Sequence, residues 1–259
     1  MPLDTLSTYP TTHLRTDGRR WNELRRLTCS LSTQPSADGS SLVTMGNTMV
    51  TCTITGPREG RGQRDHARAT VETELSIAPF AQTDRRKRGK NDKRLVELQT
   101  TISNAFQAHL FTHLYPRSLI TIALHVLSLD GSLLAACLNA ASLALVDAGV
   151  PMPSVLAGCT SGLVMDPDGD GGKKGSPPEG LLDLSGSEEL ELPFLTVATV
   201  GSVEGGEDRV SVLVMETKVP GARLEGMLAV GVDGAKGVRA RMEAEVRRMG
   251  AKLARGRAG

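Results

Sequence analysis

Aromatic side chains are almost missing from this chain of 259 residues, which holds one Trp, two Tyr and four Phe. An interior without rings must be filled by Leu, Val, Ile, Met and Ala, which dominate the 39% apolar content. That content suffices for one sizeable domain or two small ones. An excess of charge of one sign is missing too, since 30 Lys and Arg stand against 29 Asp and Glu. Any pull on a polyanion must therefore come from local clusters. Long apolar runs are absent as well: even Leu133 to Ala148 is interrupted by Asn139 and Asp147, so no segment spans a bilayer and no membrane partner is expected. The N-terminus carries Asp4 and hydroxyls where a signal peptide needs a basic start and an unbroken apolar stretch. Nothing marks the chain for secretion, and a soluble protein is expected. Cysteine is sparse. Cys29, Cys52, Cys137 and Cys159 lie far apart, without the paired spacing of zinc or redox motifs, and read as reduced core thiols of a cytosolic or nuclear protein.

What is present is a regular alternation of patterns. TDGRR at Thr16–Arg20 reads as a turn, and RLTCSLS, SLVTMG and NTMVTCTITG read as strands, with Gly46-Asn47 suited to a tight hairpin. VETELSIAPF continues the strands. A basic loop, TDRRKRGKNDKR, then feeds a helix whose apolar positions Leu95, Leu98, Ile102, Phe106, Leu110 and Leu114 keep helical spacing up to Tyr115-Pro116. LITIALHVLSL reads as a strand, Asp130-Gly131 as a turn, and Leu133 to Ala148 as a helix stopped by Gly149 and Pro151. VLAGCTSGLVMD and LLDL bracket an insert over residues 166–180 whose Gly, Pro and charge density predict a mobile surface loop. Strands LTVATVGSVE and DRVSVLVMET lead to a final helix from about Ala222 to Met249. Each half reads as several strands followed by a long helix, which predicts an α+β fold with two β-rich halves in a single domain over residues 1–250. Residues 251–259 form a basic C-terminal tail expected to fray.

Two loops concentrate positive charge. Arg85, Arg86, Lys87, Arg88, Lys90, Lys93 and Arg94 are opposed only by Asp84 and Asp92, and GPREGRGQR sets Arg58, Arg61 and Arg64 on a Gly-rich loop after a strand. Converging, they would hold a polyanion, and the missing aromatics favour phosphate contacts over base stacking. Taken singly, either loop reads equally well as a solvated charge run. Gly131 and Ser132 could present N–H groups and a hydroxyl to an anion at a helix start. Leu133 and Leu134 follow, however, where a phosphate-using site wants Arg or Lys, so the simpler reading is a helix cap. His109 and His113 share metal-ligand spacing on one predicted helix face, but Leu110 replaces the Glu of a zinc hydrolase and no third ligand is evident. Asp183, Glu188, Glu189 and Glu191 could hold Mg²⁺, though a solvated acidic turn is the plainer reading. GDGGKKGS lacks the ending of a phosphate-binding Walker loop, and no serine sits in a nucleophile elbow.

In order along the chain, RTDGR, GNTMVTCTITGPRE, KRLVELQTTI, LYPRSLITIALHVLSLDGS and AASLALVDAGVPM resemble the RNase PH family over nearly its whole length. Within it they are most similar to the eukaryotic exosome ring subunits equivalent to the archaeal catalytic chain. The resemblance implies the RNase PH fold and a six-membered ring around an RNA channel. Active relatives use inorganic phosphate to attack the 3′ linkage of RNA, releasing a nucleoside diphosphate. They hold that phosphate with a hydroxyl and an Arg after the DG turn; here Ser132 remains and Leu133 stands in the Arg position. They hold a divalent ion with a pair of Asp; here Glu189 sits near the first and the second has no counterpart. One lost oxyanion donor costs roughly a hundred- to a thousand-fold in rate. The resemblance therefore implies a degenerate phosphate site at Ser132 and Leu133, a degenerate metal site at Glu189, and no catalytic residue, cofactor or bound metal. Lys93 and Arg94 match the paired arginines that grip RNA, with one guanidinium fork lost to Lys. Arg61, Gln63 and Arg64 match the channel-lining loop. The implied partners are RNA, other RNase PH-like subunits, RNA-binding cap proteins and an RNase II-like hydrolytic nuclease, in nucleus, nucleolus and cytoplasm. Two alternatives stand beside this one: an active phosphorolytic exoribonuclease using Ser132, Asp183 and Glu189, and a small-molecule kinase whose Gly/Ser loop DGSLLAAC only loosely resembles.

Overall fold

Strict alternation in TMVTCTIT buries Val50, Cys52 and Ile54 on one side of a strand and turns Met49, Thr51 and Thr53 to the other. In the computed structural model, which describes residues 9, 12–59, 67–85, 89, 92–164, 180–201 and 208–257, this strand is β3 (Thr48–Glu59). It joins β1 (Leu27–Leu31), β2 (Gly39–Met45), β4 (Thr70–Ile77) and β5 (Ser118–Ser128) in a five-stranded sheet of order β1-β2-β3-β5-β4. All pairs are antiparallel except β4 with β5. As the sequence predicts, Gly46-Asn47 forms the β2–β3 hairpin turn, with Gly46 at φ +59°. A second, antiparallel sheet of order β7-β6-β8-β9 contains β6 (Leu156–Leu163), β7 (Gly180–Leu182), β8 (Phe194–Val200) and β9 (Arg209–Met215).

The α-helices are α1 (Lys93–His109), α2 (Leu133–Asp147), α3 (Gly186–Glu191) and α4 (Gly221–Arg257). Every residue of α2 from Leu134 to Leu145 is buried, because the helix packs on β2 and β3 with one side and on β6 with the other. Its Asn139 is satisfied there: Nδ2 donates to the Gly158 carbonyl at 3.0 Å and Oδ1 accepts from the Gly158 amide at 2.7 Å. At the other end of α2, a Cβ on Gly39 would lie 2.4 Å from the Ala144 carbonyl oxygen, so only glycine lets β2 start this close. α4 covers β6, β7 and β8 from the opposite side and reaches β1. The architecture is α+β with two β-rich halves, as the sequence predicts.

Four local expectations are corrected. α1 stops at His109, where the Leu110 amide bonds the Phe106 carbonyl, and Thr112–Leu114 form a separate 3₁₀ turn. Glu188, Glu189 and Glu191, expected on a solvated turn, lie in α3, held by a capping box between Ser185 and Glu188. α4 does not fray at Met249 but runs to Arg257, since Ala, Lys, Leu and Arg are strong helix formers and cations suit a helix C-terminus. Cys29, expected in the core, is only partly buried, whereas Cys52, Cys137 and Cys159 are buried, and all four are free thiols. The insert over 166–180 lies outside the described residues except for Gly180, which opens β7. Among the described residues no helix is long and apolar enough to cross a membrane.

Candidate functional site

β5 ends at Ser128, and the chain turns through Asp130, Gly131 (φ +75°) and Ser132 (φ +53°) into α2. Ser132 takes the N-cap position that the sequence predicts, its carbonyl accepting from the Ala136 amide at 2.9 Å, but its side chain is used elsewhere. Its hydroxyl donates to Asp183 Oδ1 at 3.1 Å and to the Leu184 carbonyl at 3.2 Å, and makes no capping bond to α2. The left-handed backbone at Ser132 turns its amide outward instead, and that N–H donates to Glu189 Oε1 at 2.5 Å. The first turn of α2 has no acid of its own, so the α3 carboxylate supplies the negative charge that a helix N-terminus favours.

The acidic segment is not a solvated turn. Asp183 is buried and accepts from the Arg25 amide at 2.8 Å, Arg25 Nε at 3.1 Å and Arg25 Nη2 at 2.7 Å. Burial pushes its carboxyl up, but the hydrogen bonds and charge of Arg25, joined by the charge of Arg19, outweigh that and hold it below its usual range. Glu188 is likewise buried and paired with Arg15, whose guanidinium also donates to the Leu182 and Asp183 carbonyls. Arg15 and Arg19 are the two ends of RTDGR. The motif makes the turn that the sequence predicts, exposed at Thr16–Gly18, and its two arginines clamp the acidic segment.

Glu189 has the opposite environment. Burial pushes its carboxyl up to about 7, against the Ser132 amide and the charges of Arg25 and Arg94. It lines a cleft of about 50 Å³ together with Arg94, Leu98, Leu133, Val214 and Glu216. Leu133 lines this cleft as an apolar wall. Lys93 and Arg94 are both exposed at the start of α1, which Asp92 caps by accepting from the Arg94 amide at 3.3 Å. Arg94 Nη2 lies 3.4 Å from Glu216 Oε2, just beyond the end of β9.

The described ends of the two basic loops attach at opposite ends of the first sheet. β4 runs parallel to β5 from Thr70 beside Leu119 to Ile77 beside Val126, while Arg58 of β3 also faces Leu119. The loop from Glu59 to Ala67 therefore springs from the Leu119 end of the sheet, and the loop from Ala78 to Asp92 from the end near Ser128. Eight residues of β4 separate those ends by roughly 23 Å. Arg61, Gln63 and Arg64 themselves lie outside the described residues, as do Arg86, Lys87, Arg88 and Lys90. Arg58 pairs with Asp38 at 3.1 Å.

The histidine pair is also corrected. His109 is the last residue of α1, buried, with Nε2 2.7 Å from the Ser154 carbonyl, and His113 sits on the 3₁₀ turn against Phe111. They share no helix face. Among the described residues no group of three or more His, Cys, Asp or Glu is placed to hold a metal ion. Sequence reasoning missed Arg15, Arg25 and Glu216, whose partners are remote in the chain. The available signal was Asp183 itself, a lone acid in the apolar run LLDL that had to find a cation.

Residues 23–151 match the RNase PH family model, described as the 3′ exoribonuclease family, domain 1. The chain belongs to the RNase PH family. It is 36% identical over 250 residues to exosome complex component SKI6 of Saccharomyces cerevisiae, covering 95% of each chain. It is 34% identical over 237 residues to exosome complex component RRP41 of Homo sapiens, covering 90% of each. The crystal structure of rice (Oryza sativa) Rrp46 shares its fold, with a TM-score of 0.76 at 23% identity over 90% of this chain and all of that one.

Proposed function

We propose that the chain is a non-catalytic, RNA-binding ring subunit of an RNA exosome, guiding RNA 3′ ends through a central channel to an associated hydrolytic nuclease. The relatives named as exosome complex components support the assembly half of this reading. The observation that carries the non-catalytic half is the α2 N-terminus, where the Ser132 amide is bonded to Glu189 and the next side chain is Leu133. An attacking phosphate needs cationic or N–H neutralisation at that point, where the N–H is taken by Glu189 and Leu133 brings no charge. Cations persist at the rim, on Lys93 and Arg94, and suit contact with an RNA backbone.

In this role the chain pairs with other RNase PH-like subunits in a six-membered ring, meets RNA-binding cap proteins, and passes RNA to an RNase II-like nuclease. RNA processing and decay, including rRNA processing and mRNA decay in nucleus, nucleolus and cytoplasm, is the corresponding setting. In this reading RNA contacts Arg61, Gln63 and Arg64 as well as Lys93 and Arg94. Charge reversal tests the RNA half. Lys93→Glu with Arg94→Glu should weaken RNA crosslinking and flatten the salt dependence of binding by about 0.7 to 1 for each phosphate no longer neutralised. Unchanged crosslinking and salt slope would mean these side chains are only solvated.

A further inference from the structure

Arg94 is not a free cation. Its guanidinium is 3.4 Å from Glu216 Oε2, and the Glu189 carboxylate lines the same small cleft. The pair remains open to solvent, with side-chain exposures of 63% for Arg94 and 48% for Glu216. A phosphate arriving at Arg94 therefore competes with the Glu216 carboxylate for the guanidinium, which offsets part of its attraction. Glu216 makes no other ion pair among the described residues, and it follows directly on β9, an edge strand of the second sheet. Its carboxylate faces Arg94 at the edge of the cleft.

We propose that Glu216 is a built-in competitor for Arg94 that sets how tightly this end of the chain holds RNA. The inference rests on the RNA-binding reading given above. A subunit that passes a strand onward gains from a grip that is weak and easily exchanged, and an internal carboxylate provides one without removing the cation. Because the Arg94–Glu216 pair is exposed, its effect is modest and sensitive to salt.

The test uses the full chain and a fluorescein-labelled oligoadenylate, with fluorescence anisotropy read across a salt series. Glu216→Gln should tighten binding about two- to five-fold at low salt. It should also steepen the salt slope by about 0.7, as one more side chain becomes free to neutralise a phosphate. On an Arg94→Gln background, Glu216→Gln should give no gain over Arg94→Gln alone, whereas a general decrease in negative charge would give the same gain with or without Arg94. The exposed site makes Glu216→Gln safe for folding, and unchanged thermal melting verifies this. If Lys93→Glu weakens binding while Glu216→Gln leaves it unchanged, the RNA reading stands and the competitor is refuted. A gain that survives removal of the Arg94 guanidinium refutes it as well. If the unaltered chain binds no oligoadenylate, the RNA reading fails and takes this inference with it.

Discussion

Asp183 and Glu189 are six positions apart and are driven in opposite directions by their surroundings. Asp183 sits in an arginine cage, so its stabilising ionised form is present above the ordinary carboxylate range and is lost as pH falls through its lowered value. Glu188, beside Arg15, behaves the same way. Glu189, raised to about 7, instead contributes stability that is complete below its unfolded value and is lost as pH rises toward 7. Urea melts across pH should show both arms, and Glu189→Gln should remove only the decline on the approach to neutrality. A Glu189→Gln profile that parallels the parent would contradict the assignment. Removing one partner of the cage is expected to be severe: Arg25→Met takes the paired guanidinium from buried Asp183, leaves Arg19 at 4.0 Å as its counter-charge, and should cost about 3 kcal/mol in urea unfolding. None of these pairings was legible in the sequence, because Arg25 and Asp183 are 158 positions apart and charge alone does not say which acid meets which base. The identity of the cleft's apolar wall, Leu133, was legible, since a missing guanidinium shows in the letters themselves.

At the level of elements, periodicity was a good guide wherever burial is one-sided. Strands β1 to β5 alternate and were readable; β6 is buried on both faces between α2 and α4, yet its apolar run still marked it. Six-residue α3 was missed because it is shorter than two helical turns and its capping box is read only against a structured neighbour. The end of α1 was misplaced because Leu110 and Leu114 stay in helical phase although the backbone leaves the helix. α1 does more than pack. β4 is an edge strand, and α1 side chains bond its backbone: Gln99 to the Leu75 carbonyl, Ser103 to the Val71 carbonyl, and Gln107 to both the Ala69 carbonyl and the Val71 amide. These residues recur every four positions, so one helix stripe covers the exposed ladder. Gln107→Leu orphans the buried Val71 amide and Ala69 carbonyl, and should destabilise by about 1–3 kcal/mol. Hydrogen exchange at Val71 should accelerate beyond the global change; equal acceleration throughout the sheet would argue against a local role.

On the scale of the molecule, two sheets clasp α2 and present its N-terminus, α3 and the start of α1 at one end. That end carries the cleft. The opposite end carries the attachment of the loop holding Arg61, Gln63 and Arg64, and the separation was illegible in sequence because strand direction, which decides it, is not encoded locally. α3 closes the site by sending Glu189 to the Ser132 amide, while α4 covers the second sheet. The central claim is that this closure has ended phosphorolysis while leaving a passage for RNA. Its most direct measurement is the release of nucleoside diphosphate from RNA by the purified chain, alone and with its ring neighbour, supplied with Mg²⁺ and inorganic phosphate. The account predicts no phosphate-dependent release in either case; nucleoside diphosphate formed at a rate that falls with Ser132→Ala would contradict it.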